Sequence, residues 1–417
     1  MRIFHPLRSA PVALLWGGLS LSALGDQLYA VALTWIAVAV FGANAGYLSA
    51  LQASVALVAV LAIGRWADRW DQYRSMIAAD LVRSGFLAAV VAVWLATGGP
   101  TALQLVSAIV VLAIGQAVFK PSLQLMLPSV VSDKRLLPAA NGLLDATDRS
   151  ARLLGPGLVA LLAGFVPAVH FLTLDALSFL GSAAALLLIG HLRPGLPRIR
   201  RVEPETLWQG IARGVRAMAA HTLLGYSLAV TGLLNGTWYA VFYLGLPLMI
   251  EQHGTTGSGL GAYGLVLSAY GCTNLAATVY FAPRLPWRRP QFQMFGGNLV
   301  VGAGLAALGL ADLLPTAWLV PGLAAAAAFG AIGGPMQDIP LAVLRQTRLP
   351  PSDIAAGMRA YMAASSAGTL CAMLLAPALI AVGGVVLIVI CCGLTYLGVG
   401  AVGLARHADW LEPELAV

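Results

Sequence analysis

Asp26, Asp80, Arg83, Asp145, Asp148, Arg149, Arg152, Asp175, Asp338 and Arg359 all stand inside or at the edge of apolar stretches of this sequence. A charge at that depth in hydrocarbon is expensive and marks pairing, proton movement or ligand capture. Asp26 lies near the middle of the first apolar stretch, and nothing within one turn of its own helix can neutralise it. Tyr29 follows three residues later on the same face. Such a carboxyl can carry a proton or touch a ligand. Alternatively, hydroxyls or an arginine of neighbouring helices satisfy it.

The stretch 139–165 carries two acid-first i,i+4 pairs, Asp145 with Arg149 and Asp148 with Arg152. That orientation is the favourable one, and the acids sit towards the helix N-terminus. The pairs can neutralise themselves. Arg152 lies deeper and could instead fork onto a carboxylate, either that of an anionic ligand or that of Asp26. Asp80 and Arg83 are i,i+3 and read as gate residues, and Asp175 reads as a hydrogen-bonded packing residue. Gln337, Asp338 and Arg359 read as part of a cytoplasmic gate. Trp238 and Phe242 share one helical face, Tyr239 and Tyr243 another. Rings with polar tips suit a flat amphiphile, or helix packing, or an interfacial belt.

The segments that hold these residues must be membrane helices. Of 417 residues 59% are hydrophobic and 10% charged, against about 25% charged in a soluble globule. Apolar runs fall at 11–41, 46–64, 75–97, 101–126, 139–165, 168–190, 221–249, 260–283, 291–312, 316–345, 355–382 and 384–405. Each is long enough to cross a bilayer, which takes roughly 20 residues. Arg2 and Arg8 before the first run imitate a secretory leader, but the run continues to Ala39 and reads as a retained helix. The fold expected is therefore an all-α integral membrane protein of about twelve spans.

Lysine and arginine segregate along alternate breaks. One set holds Arg2 and Arg8; Arg65, Arg69 and Arg74; Lys134 and Arg135; the arginines from Arg193 to Arg216; Arg284, Arg288 and Arg289; Arg345 and Arg348; and Arg406. The other breaks hold none. By the positive-inside rule both termini face the cytoplasm, and the location expected is a bacterial inner membrane. The one long break separates residues 1–190 from 221–417. It is a cytoplasmic linker, 191–220, whose part 205–219 reads as an amphipathic surface helix. Lys120-Pro121-Ser-Leu-Gln124, Asp133, Ala139-Ala140-Asn141-Gly142 and Gly155-Pro156 are echoed by Pro335-Met-Gln337-Asp338, Asp353, Ala355-Ala356-Gly357-Met358-Arg359 and Ala376-Pro377. This is the mark of two parallel six-helix repeats.

The net charge of +7 gathers on no polar domain that could bind nucleic acid. Cys272, Cys371, Cys391 and Cys392 lie in apolar runs as small hydrophobes. No phosphate loop, nucleophile elbow or metal-ligand spacing is present, so neither a cofactor nor a metal is expected and the chain does not read as an enzyme. His5, His170, His191, His221, His253 and His407 scatter near span ends. Energy for any movement of solute must come from an ion gradient or the solute's own.

Gly64-Arg65-Trp66-Ala67-Asp68-Arg69-Trp70-Asp71-Gln72-Tyr73-Arg74 resembles the G-x-x-x-D-R-x-G-R-R loop of the major facilitator superfamily. Gly64, Asp68 and Arg69 match. Asp71 replaces the second glycine, Gln72 and Tyr73 stand in the basic places, and Arg74 comes one place late. The resemblance implies that Asp68 contacts the start of helix 11 and Arg69 a neighbouring acid, closing the inner side. Gly142, Ala151, Gly155 and Pro156 resemble the antiporter motif G-x8-G-x3-G-P, with alanine for one glycine, and this tilts the direction towards efflux. With Asp26, Asp80, Asn141 and Asp175, the set is similar to the branch that holds the enterobactin exporter and the macrolide efflux proteins.

The resemblance implies two pseudo-symmetric six-helix bundles that rock about a midplane site. It implies a monomer exchanging protons for an amphiphilic small molecule such as a siderophore or drug. A nutrient or lysophospholipid importer on the same fold, and a membrane sensor that moves nothing, are the competing readings.

Overall fold

In lipid every backbone N–H and C=O must be bonded within the protein, so an apolar chain of this kind has to coil into helices. The computed structural model describes residues 2–63, 71–131, 136–192, 207–254, 259–282, 284, 289–350 and 352–411. Among them the regular structure is helical. In order come α1 (Ala10–Phe41), α2 (Ala45–Ile63), α3 (Gln72–Thr97), α4 (Ala102–Val130), α5 (Leu137–Leu162) and α6 (Val169–Leu192). Then follow α7 (Leu207–Ala219), α8 (Thr222–Ala240), a π-helical stretch Val241–Gly245, α9 (Leu246–Gln252) and α10 (Gly259–Phe281). The chain ends with α11 (Pro290–Leu310), α12 (Thr316–Ala331), α13 (Gly333–Arg348), α14 (Ile354–Gly383) and α15 (Val385–His407).

Nine helical stretches among the described residues are long and apolar enough to cross a membrane. One, Ala10–Val55, takes in α1 and the start of α2, and another, Thr316–Arg348, joins α12 to α13. α5 falls outside the nine because Asp145, Asp148, Arg149 and Arg152 crowd it, and α10 because glycines, tyrosines and Asn274 dilute it. With these, twelve span-length segments run in order among the described residues: α1 to α6, α8 through α9, α10, α11, α12 with α13, α14 and α15. This is the all-α membrane architecture expected from the apolar runs.

The ends of the helices are built by local chemistry. Asp71 caps α3 by accepting the Arg74 N–H at 3.2 Å. Thr101 and Gln104 form a reciprocal capping box at α4. Gly98, at φ 79, closes α3 in a left-handed conformation that a side chain would strain. Inside the spans, hydroxyls fold back onto their own helix: Thr34 donates to the Ala30 carbonyl at 2.8 Å.

Two prolines shape the second half. Pro335 has no N–H for the carbonyl four residues earlier. The single run expected at 316–345 breaks there into α12 and α13, and Asn274 of α10 donates to the orphaned Ala331 carbonyl at 3.1 Å. Pro247 likewise withholds a donor from Tyr243, and the widened π-helical stretch immediately precedes it. Tyr263 donates to the Phe242 carbonyl there at 3.0 Å.

The helices form two compact units, Met1–Val40 with Leu51–Glu203, and Phe41–Ala50 with Pro204–Val417. In the first, α3 packs on α4 and α6, and Trp16 of α1 donates to Thr147 of α5 at 2.8 Å. In the second, α8 packs on α14, and α11 packs on α12, α13 and α15. Glycines set those distances, because lipid offers no hydrophobic drive between helices and small residues let backbones meet. A Cβ on Gly368 of α14 would collide with the Gly232 backbone of α8, and Gly302 of α11 abuts Gly393 of α15.

Candidate functional site

In the first unit the charged residues of α1, α3 and α6 converge. α1 presents Gly18, Ser22, Gly25 and Tyr29 as one buried stripe. Gly18 lies against Ser182 and Ala185 of α6, and Gly25 against Asp175 and Ser178. Ser178 donates to the Asp175 carbonyl at 2.8 Å and to Asp175 Oδ1 at 3.1 Å. Ser84 of α3 donates to the Ala176 carbonyl at 2.7 Å.

Asp80 and Arg83, expected as gate residues, form a buried ion pair inside this unit, 0% and 3% exposed. The guanidinium lies 4.1 Å from the Phe179 ring centroid and 5.0 Å from that of Phe119, and its stem fills the space beside Gly115 of α4. Asp26 is half-buried. The cations acting on it most strongly are Arg83, then Lys120 of α4, and the acids Asp80 and Asp148 also reach it. Asp26 therefore belongs to a charge network of α1, α3, α4 and α5. Tyr29, one turn on, is within reach of both Asp175 and Asp26.

The helix-5 residues divide. Gly155 is needed, since a Cβ there would strike Gln27 of α1, and Pro156 is buried beside it. Gly142 has open space around it. Asp148, Arg149 and Arg152 are exposed, and the side chain of Asp145 lies outside the described residues. Gly64, Asp68 and Arg69 lie outside them too. Arg74 is exposed beside Asp71. Tyr73, another departure from the loop pattern, donates to the Leu186 carbonyl at 2.8 Å and covers Gly190 of α6.

In the second unit the aromatic residues of α8 and the π-helical stretch form one cluster. Tyr239 and Tyr243 stack at 5.0 Å with 19° between planes. Trp238 lies 4.9 Å from Phe242, which is buried, and 5.8 Å from Tyr270 of α10. Trp238, Tyr239, Tyr243 and Tyr270 are half-buried. Beyond Tyr270 stands a polar group. Asp338 is exposed and within charge reach of Tyr270 and of Arg345, two turns along α13. Arg345 stacks 4.2 Å over the Tyr361 ring, and Asn235 of α8 lies near the Tyr361 hydroxyl. Arg359 lies by α14's start, over Gly210 of α7. There α7 is clamped by Gly214 against Ala356 and by an Arg213–Asp353 pair at 3.4 Å.

Lys120 and Arg345 had no site role assigned from the sequence, and Tyr270 and Tyr361 had no role at all. A lysine 19 residues into an apolar helix was a usable signal for the first. Tyr270 and Tyr361 are joined to their partners only across helices, and Arg345, two turns from Asp338 on α13, meets the Tyr361 ring only across to α14.

Solved transporters share this fold. A bacterial homologue of the iron transporter ferroportin, in an inward-facing state, aligns at TM-score 0.71 with 14% identity, over 95% of this chain and 99% of that one. The POT family transporter PepTSo aligns at 0.67 with 12% identity, over 96% and 98%. A bacterial metal transporter aligns at 0.58 with 16% identity, over 95% and 99%. No curated protein sequence matches the chain. Residues 15–346 match the sequence pattern of the Major Facilitator Superfamily, and these are the residues that build the first unit's charge network and the second unit's aromatic cluster. The chain is a membrane transporter-type protein and belongs to the Major Facilitator Superfamily.

Proposed function

We propose that the chain is a secondary active transporter that exports an amphiphilic small molecule of siderophore or drug chemistry in exchange for protons. It would belong near the enterobactin-exporter and macrolide-efflux branch. The observation that carries this reading is Asp26, a half-buried carboxyl in a spanning helix, linked electrostatically to Arg83, Lys120, Asp80 and Asp148. A carboxyl so placed can change its charge and be felt by three other helices, which is what coupling a proton to a conformational cycle requires.

In this reading the half-buried rings of Trp238, Tyr239 and Tyr243 are the second unit's contacts for the flat part of the substrate. Asp145, Asp148, Arg149 and Arg152 of α5 are the first unit's proposed coupling and charge-bearing residues. The close packing of Gly155 on Gln27 supports the use of the helix-5 motif, Gly142, Gly155 and Pro156, in efflux. Gly64, Asp68, Arg69 and Arg74 are the first unit's proposed cytoplasmic gate residues, with Asp80 and Arg83 as their interior brace, and Asp338 and Arg359 are the second unit's. Two six-helix halves, 1–190 and 221–417, would be joined by 191–220, with both ends in the cytoplasm of a bacterial cell and the protein acting as a monomer by alternating access.

The test is transport by the purified protein in proteoliposomes under an imposed pH gradient, using a fluorescent aromatic amphiphile. Protons moving one way should drive the dye the other way, and Asp26→Asn should abolish that flux while exchange of dye at equal pH continues. Flux indifferent to the gradient, or unchanged in Asp26→Asn, overturns the reading. Dye that follows the protons in the same direction would mark an importer.

A further inference from the structure

Asp175 is a titratable group that the cycle above leaves unused. It is 0% exposed on α6, inside a unit that must sit in lipid. Its Oδ1 accepts the Ser178 hydroxyl at 3.1 Å, and its Oδ2 has no hydrogen-bond partner. The hydroxyl of Tyr29, a residue 6% exposed on α1, has no partner either. Buried oxygens of this kind are rare, because each forfeits the hydrogen bonds it had in water.

Both orphans lie along the packing of α1 on α6. Gly25 and Tyr29 are four residues apart and share a helical face. Gly25 is pressed so closely onto Asp175 and Ser178 that any side chain would collide with both. The Tyr29 hydroxyl is acted on first by Asp175 and then by Asp26. Asp26 is three residues before Tyr29 on α1, and Gly25, on the tyrosine's face, packs against the helix that carries Asp175, so the hydroxyl has one carboxyl on its own helix and the other on the helix it faces. Among the described residues no cation is bonded to Asp175. Arg83, within reach, is committed to Asp80 and held between two rings.

We propose that Asp175 is a second proton site of the first unit, exchanging with Asp26 through the Tyr29 hydroxyl. The inference rests on the proton-coupled reading of Asp26. For the exchange the Tyr29 hydroxyl must first turn to bridge the two carboxyls; the Asp26 carboxylic acid then gives its proton to the Tyr29 oxygen, while the Tyr29 hydroxyl gives its own to Asp175 Oδ2. Tyr29 ends neutral, Asp26 anionic and Asp175 neutral, so no charge is created. A proton on Oδ2 ends the cost of burying a bare carboxylate oxygen. The charged and titratable groups around the pair are Asp26 and Tyr29 from α1 and Asp80 and Arg83 from α3. Lys120 of α4 and Asp148 of α5 bear on Asp26.

The experiment is infrared difference spectroscopy of the intact protein in liposomes through pH steps, on wild type, Asp175→Asn and Tyr29→Phe. The wild type should show a protonated-carboxyl C=O band that Asp175→Asn removes. Tyr29→Phe, which keeps the packing, should retain the band but slow its response to a pH jump tenfold or more. A band unaffected by Asp175→Asn overturns the proposal. If that variant does not fold, an unchanged response rate in Tyr29→Phe overturns it instead. The transport reading fails separately: the band and its slowing would both appear while wild-type flux ignored the pH gradient.

Discussion

Asn274 of α10 donates its side-chain N–H to the carbonyl of Ala331, 57 residues away, at 3.1 Å. Pro335 leaves that carbonyl without its helical donor. Removing the amide strands a backbone acceptor where water cannot replace the bond. Interhelical hydrogen bonds in membranes are worth about 0.6 kcal/mol on average, up to about 1.7. Asn274→Leu should therefore lower the unfolding free energy by about 1 kcal/mol, read from thermal unfolding in detergent. Pro335→Ala with Asn274→Leu should recover it, because residue 335 then supplies the N–H. Equal loss in the single and double variants would show that the bond is not what holds α10 to the α12–α13 joint.

The small residues make a second test. Gly368 meets the Gly232 backbone, whereas a Cβ on Gly142 would meet nothing within 4 Å. Gly368→Val should force α8 and α14 apart, at about 1–3 kcal/mol or more by analogy with overpacked cores. Gly142→Ala should be neutral or slightly stabilising, since alanine is the better helix former by about 1 kcal/mol. Measured side by side in one detergent, similar losses in both would contradict the packing described.

The buried ion pair gives the largest expected effect. Arg83→Met leaves Asp80 fully buried and unpaired, a change that costs about 3–5 kcal/mol in comparable sites. Asp80→Leu combined with Arg83→Met removes both charges and should restore most of the stability, because the rings of Phe119 and Phe179 already form an apolar sleeve. The double-mutant cycle in unfolding free energy checks this. Additive losses would mean that each residue acts through a separate partner.

These contacts also show what could be read from residue order. The spans were legible, since a bilayer demands long apolar runs and the chain has little else. Asp26 was legible as a carboxyl without a local partner. The neighbours acting on it were not, because Arg83 and Lys120 come from other helices and helical periodicity describes only one helix at a time. Asp71, Tyr73 and Arg74 depart from the family loop, and two of the departures have local work: Asp71 caps α3 and Tyr73 ties it to α6. The break in the run at 316–345 was signalled by Pro335, but its repair by Asn274 was not. Tyr270 carried no mark of its own, since its meaning lies in standing 4.8 Å from Phe242.

The aromatic cluster can be separated into packing and ligand contact. Phe242 is buried, while Trp238, Tyr239 and Tyr243 remain half-buried. Aromatic pairs contribute about 0.5–1.5 kcal/mol beyond their burial, so Phe242→Ala should lower stability with little effect on substrate concentration dependence once folded protein is counted. Trp238→Ala should do the reverse. Losing one stacking contact worth about 1.4 kcal/mol raises KM about tenfold, and Trp238→Phe, which keeps a ring, should recover most of it. The measurement is dye flux in proteoliposomes against dye concentration, normalised to folded protein. If Trp238→Ala leaves KM at the wild-type value and changes only stability, the cluster is a packing element of the second unit and the substrate's flat face is held elsewhere.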